Sequence, residues 1–149
     1  MNESVPCSKG GRLLGAHVAV RRGVKNVLGE KRVKRGLAIA ERIRWAPLPM
    51  PCRARLLASL VMPSTMYGFC VSGLTCHQMQ SLTSAVMRAL WGTKRALRSK
   101  DVVLTLFVSG HLVDPRQVSV YQCLCMLRRF VKKRPDLHAM LSRCWEAYS

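Results

Sequence analysis

Nine cations crowd one short stretch of this chain: Arg21, Arg22, Lys25, Lys31, Arg32, Lys34, Arg35, Arg42 and Arg44, with only Glu30 and Glu41 as acids among them. Guanidinium and ammonium groups repeated at one-turn spacing can follow successive phosphates, so the chemistry on offer is contact with a nucleic-acid backbone. The opposing readings are a solvated charged helix and a nuclear-localisation patch. The composition favours phosphate contact, because Lys and Arg total 25 against 7 Asp and Glu and the formal net charge is +18. A compact chain of that charge repels itself and attracts polyanions, either nucleic acid or anionic lipid. Trp45 closes the run. It would either stack on a base or pack in the core, and packing is the expectation.

Catalytic chemistry is much harder to assemble from these residues. Nucleotidyl transfer by two metal ions needs several carboxylates gathered around the reacting phosphate. The aspartates are Asp101, Asp114 and Asp136, well separated along the chain. Asp114 and Asp136 both sit where helix caps are expected. His17, His77, His111 and His138 are scattered, and the sequence holds neither a phosphate-cradling Gly-x4-Gly-Lys-Ser/Thr loop nor a Gly-x-Ser-x-Gly elbow. No catalytic residue and no cofactor is expected.

Seven cysteines and a polar start, Met1-Asn2-Glu3-Ser4, without an apolar signal core imply a reducing compartment. The expected setting is intracellular and nuclear. Cys52, Cys70, Cys76, Cys123, Cys125 and Cys144 lie in apolar stretches, where a free cysteine behaves as a small hydrophobe. A zinc site drawn from Cys70, Cys76, His77, Cys123 and Cys125 is the sharper alternative, but the spacing fits neither a ribbon nor a knuckle.

The elements that must position the cations are helical. A polar leader runs to about Gly11, and Arg12 to Val20 reads as one strand or hairpin arm. From Val24 to Arg44 the pattern turns helical, with Val33, Leu37, Ala40 and Arg44 on one side and cations around much of the rest. Pro47, Pro49 and Pro51 stop that helix. A short helix with Leu56, Leu57, Leu60 and Val61 inward is expected from Arg53 to Met62, ending near Pro63. No charged residue occurs between Leu56 and Met87. That makes this stretch the expected core, and the alternative of a membrane span is disfavoured by Pro63, Gly68 and Gly73 in its middle.

Further helices are expected over His77 to Trp91, closed by Gly92, and over Lys100 to Val108, with Val102, Val103, Leu106 and Phe107 inward. Asp114 followed by Pro115 is a strong start signal for a helix that runs to about Lys133. Its expected buried side is Val120, Leu124, Leu127 and Val131, and Arg128, Arg129, Lys132, Lys133 and Arg134 crowd its C-terminal end. A last helix carries Leu137, Met140, Leu141, Cys144, Trp145 and Tyr148. The sum is a mainly α chain, an irregular bundle of about six helices with at most one short N-terminal hairpin or strand.

The order of these features resembles the region that follows the catalytic palm in reverse transcriptases of non-LTR retrotransposons. Leu13-Leu14-Gly15-Ala16-His17-Val18 is similar to their apolar-Leu-Gly-apolar hairpin. Gly36-Leu37-Ala38, Arg42-Ile43-Arg44, Leu48-Pro49 and the stretch from Arg53 through Pro63 to Tyr67-Gly68 resemble the thumb, and Leu90-Trp91-Gly92 a feature beyond it. The resemblance implies that Leu14 and Gly15 belong to a hairpin that grips the primer end, and that the helix from Lys31 to Arg44 lies along a template-primer duplex. It also implies a polymerase whose fingers and palm, with their paired aspartates, this sequence lacks.

Read with that resemblance, residues 1–23 are leader and primer-grip-like hairpin, 24–92 a thumb-like region and 93–149 a C-terminal helical extension. The expected function is non-enzymatic contact with the backbone of an RNA–DNA or DNA duplex, with a separate palm-bearing polymerase chain as a possible partner. The competing reading is a basic helical protein that binds a membrane or another protein and has no nucleic-acid role.

Overall fold

A computed structural model describes residues 10–13, 16–19, 26–92 and 99–147. The chain is mainly α. Strands β1 (Gly10–Leu13) and β2 (Ala16–Ala19) pair antiparallel, with Gly10 opposite Ala19 and Leu13 opposite Ala16, so the expected single arm is a hairpin that begins inside the polar leader. Helix α1 (Val27–Trp45) starts later than the periodicity suggests because Asn26 caps it, its side chain accepting from the Gly29 amide at 2.8 Å.

Helix α2 (Met50–Leu56), a π-helical turn (Leu57–Val61) and α3 (Met62–Met66) follow one another without a break. This corrects the expected stop near Pro63. The wider turn, with the Met62 amide bonded to the Leu57 carbonyl, re-spaces the backbone just before Pro63, whose ring and missing donor would disrupt a regular α-helix. Helix α4 (Phe69–Ser72) is a single turn between two left-handed glycines, Gly68 at φ 74° and Gly73 at φ 63°.

Helix α5 (Cys76–Trp91) begins with a capping box: Thr75 accepts from the Gln78 amide while the Gln78 side chain accepts from the Thr75 amide. It ends at Gly92, φ 83°. Helix α6 (Lys100–Val102) continues into a second π-helical turn, Val103–Phe107. Helix α7 (Gly110–Val113) is a single turn, and α8 (Pro115–Lys133) starts on the expected signal, with the buried Asp114 carboxylate accepting from the Arg116 amide at 3.0 Å. Helix α9 (Asp136–Glu146) ends the described part.

One core joins these elements. Ala40 and Ile43 of α1, Leu57, Val61, Met62 and Met66 of the α2–α3 stretch, Leu82, Val86, Met87 and Leu90 of α5, and Leu104, Val113 and Val118 form a single buried cluster, with α5 packed directly along α1. Gly36 lets α1 approach α3, since a Cβ there would run into Thr65 Cγ2. Arg53 fastens two helix ends: its guanidinium donates to the Ala46 carbonyl at 3.1 Å, just past α1, and to the Ala89 carbonyl at 3.3 Å, near the end of α5. A cation there offsets the partial negative charge of both C-termini. Among the described residues no helix is long and apolar enough to cross a membrane.

Several expected inward residues face out. Leu57 and Val86 are fully buried, but Leu60 is 49% exposed and Leu124 59% exposed. Around the second π-helical turn the expected set holds only at Val103, which is buried together with Leu104, while Val102, Leu106 and Phe107 are exposed. The π-helical turn advances the chain by more residues per turn than the 3.6 assumed in reading a stripe, so the inward face shifts. Helix α8 buries Val118 and Ser119 near its start and then leaves the core; Val120, Leu127 and Phe130 are exposed, and so are Met140 and Trp145 of α9.

Candidate functional site

Helix α1 has two opposite faces. Gly29, Val33, Gly36, Ala40 and Ile43 are buried, at steps of four, three, four and three residues. Lys31, Arg35, Ala38 and Arg42 follow the same steps two residues out of phase, with Lys34 beside them, and all are exposed. At 100° per residue these cations occupy about 100° of the circumference opposite the core. From Lys31 to Arg42 the stripe is about 16 Å long, enough to pass about five phosphates of one strand at 3.4 Å each.

Two acids border the stripe on its Lys34 edge: Glu30, exposed four residues before Lys34, and Glu41, seven residues after it. Glu41 is bound by Arg44, whose Nη1 donates to Oε1 at 2.6 Å, and by Trp45, whose Nε1 donates to the same oxygen at 3.2 Å. Among the described residues no acid pairs with Lys31, Lys34, Arg35 or Arg42.

The expected set therefore divides. Lys31, Lys34, Arg35 and Arg42 form the stripe. Arg32 and Arg44 lie on its flanks and are used within the protein: Arg32 donates to the Tyr67 carbonyl at 2.9 Å and lies 4.9 Å from the Tyr67 ring centre, and Arg44 holds Glu41 and covers the Trp45 ring. Arg21, Arg22 and Lys25, and the hairpin residues Leu14 and Gly15, lie outside the described residues.

Trp45 is not in the core, contrary to expectation; it is 73% exposed. It stands fourteen residues after Lys31, four helical turns on, and so ends the same stripe. One side of its ring is occupied by the Arg44 guanidinium at 4.7 Å. The signal was in the sequence, because continuing the spacing of the cations by one step reaches Trp45.

Grooves flank the stripe. On the α2–α3 side an open groove of about 480 Å³ runs between Arg35, Ile39 and Arg42 of α1 and Leu56, Leu60 and Ser64. On the α5 side a larger one, about 670 Å³, is lined by Leu37, His77, Ser84, Arg88 and Lys100, with Lys100 Nζ donating to Ser84 Oγ at 3.4 Å. Arg88 and Lys100 were not singled out from the sequence, since each stands alone in its helix and only packing brings them together.

The aspartates do not meet. Asp114 caps α8, Asp136 accepts twice from Arg134 (3.0 and 2.8 Å) and Asp101 is exposed in α6. The Arg134 hydrogen bonds hold the Asp136 carboxyl below its ordinary range. No group of three or more His, Cys, Asp or Glu side chains that could hold a metal ion occurs among the described residues. Of the residues weighed for zinc, Cys70 and Cys123 come together, and Cys76 and His77 are exposed elsewhere on the surface. Cys52 and Cys144, expected among apolar neighbours, are also exposed.

Compared with known proteins, the chain matches no family model, no curated protein and no solved structure.

Proposed function

We propose that this chain is a nucleic-acid-binding, thumb-like piece of a retroelement reverse transcriptase that contacts the backbone of a template-primer duplex through α1 and carries no catalytic centre. The observation behind this reading is the cationic stripe of Lys31, Lys34, Arg35 and Arg42, none of them paired with an acid among the described residues, set opposite the buried face of one helix and ending on an exposed tryptophan. A merely solvated helix would be expected to pair its exposed cations with acids one turn away, whereas Glu30, at that distance from Lys34, makes no ion pair with it. Glu41, the acid near the stripe's far end, is neutralised by Arg44. The chemistry is electrostatic and independent of base sequence, because it releases counterions from phosphates rather than reading base edges.

The resemblance supports the same placement, since it lays this helix along the duplex, and it allows a palm-bearing polymerase chain as partner. Such a partner would also cover the exposed apolar length of α8. The proposed location is intracellular and nuclear.

Binding to an RNA–DNA duplex, measured by fluorescence anisotropy between about 50 and 400 mM salt, tests the reading. The logarithm of the affinity is expected to fall linearly with the logarithm of salt, with a slope of about −4 or steeper, because about 0.9 is contributed per phosphate neutralised. Two duplexes of unrelated sequence should give the same line. A slope near zero, or binding confined to one sequence, would refute backbone contact.

A further inference from the structure

Cys70 and Cys123 stand 53 residues apart in sequence, yet their thiols are hydrogen-bonded, Sγ to Sγ 3.4 Å. Both are partly buried. Cys70 is carried on α4, a turn held at each end by a left-handed glycine and closed by the Gly73 amide bonding to the Phe69 carbonyl at 2.7 Å. Cys123 sits on α8 just beyond Val118 and Ser119, where that helix leaves the core. No other two cysteines are hydrogen-bonded to each other among the described residues. A disulfide needs its sulfurs at about 2.0 Å, and side-chain rotation alone covers much of the remaining distance.

We infer that Cys70 and Cys123 form a reversible disulfide that staples α8 to α4. The oxidant is a small-molecule disulfide such as oxidised glutathione. The Cys123 thiolate attacks one of its sulfurs, forming a mixed disulfide and releasing one glutathione thiolate, which takes up the proton that Cys123 gave up. Cys70 then attacks the Cys123 sulfur, the protein disulfide closes and a second glutathione leaves with the Cys70 proton. Two cysteine thiols are oxidised and one glutathione disulfide is reduced. The order follows from Cys70, whose thiol is pushed up to about 11 by burial and then by Cys123, and which therefore remains protonated in the first step. The bond would fix the direction in which α8 carries its exposed apolar residues and its cationic end, and would do so only under oxidising conditions.

The full chain, reduced and then incubated with oxidised glutathione, is alkylated, digested and mapped by mass spectrometry. The expected product is a single dominant crosslink, Cys70 to Cys123, reversed by dithiothreitol and no longer dominant when the oxidation is carried out on the chain unfolded in urea. Oxidation should raise Tm by roughly 5–10 °C, since the closed loop is long. Cys70→Ser and Cys123→Ser should abolish that rise, while Cys125→Ser, which leaves the pair intact, should keep both the crosslink and the rise even if a serine variant at the pair fails to fold. Glutathione adducts on Cys52, Cys76 and Cys144 with no Cys70–Cys123 link, Cys125 as the main partner, or a link that leaves Tm unchanged would each overturn the staple.

Discussion

Replacing Lys31, Lys34, Arg35 and Arg42 together with Gln is expected to lower duplex affinity at about 0.1 M salt by two to three orders of magnitude. If each residue neutralises one phosphate, removal of the four flattens the salt slope by about 3.6, and each lost contact is worth about eightfold at that salt relative to 1 M. Other cations of the chain recover part of the loss, which places the estimate below the roughly four-thousandfold of strict additivity. Gln is nearly as good a helix former as Lys and Arg, and all four positions are exposed, so far-UV circular dichroism and Tm should stay close to the parent. Arg32 is left in place because its bonds to Tyr67 tie α1 to the α3–α4 corner. Unchanged affinity and slope would move phosphate contact to Arg128, Arg129, Lys132, Lys133 and Arg134 at the end of α8, or end the proposal.

Gly36→Val is expected to damage the fold severely. Gly36 is buried where α1 crosses α3, and a side chain would press into Thr65, whose hydroxyl donates to the Val61 carbonyl at 2.7 Å and cannot swing away without losing that bond. Overpacking of this kind costs about 3 kcal/mol, against a gain of less than about 1 kcal/mol from replacing a helical glycine. The sign is therefore destabilising, and Tm should fall by roughly 5–10 °C in a thermal melt. Thr65→Ala in the same chain should restore part of the loss by opening the space. A Gly36→Val protein that melts with the parent would show that α1 and α3 are not packed in this way, and the stripe would lose the rigid helix that presents it.

What the sequence disclosed and what it withheld follow from the range of the forces involved. Caps and stops are local, so Asp114-Pro115 and Gly92 marked helix ends correctly. Thr75, with its partner Gln78 three residues on, is likewise a local cap signal and starts α5 one residue before the expected His77. The cationic side of α1 was legible because its spacing is regular and its opposite side buries Val33 and Ala40. Periodicity, however, states which residues share a face and not whether anything packs on it. Val120, Leu124 and Leu127 share a face of α8 as expected, yet α8 passes beyond the core after Ser119 and that face stays open. The meeting of Cys70 with Cys123, and of Arg88 with Lys100 across a groove, depends on tertiary packing between elements far apart in the chain.

Lysine footprinting reads the central claim at the residues themselves. The full chain is acetylated briefly with and without saturating RNA–DNA duplex at low salt, and modification of each lysine is quantified by mass spectrometry. Lys31 and Lys34 are expected to be protected severalfold by the duplex, and Lys132 and Lys133, on the far end of α8, to react as in the free protein. Protection of Lys132 and Lys133 with Lys31 and Lys34 unchanged, or no protection anywhere while the duplex is bound, would contradict binding through the α1 stripe.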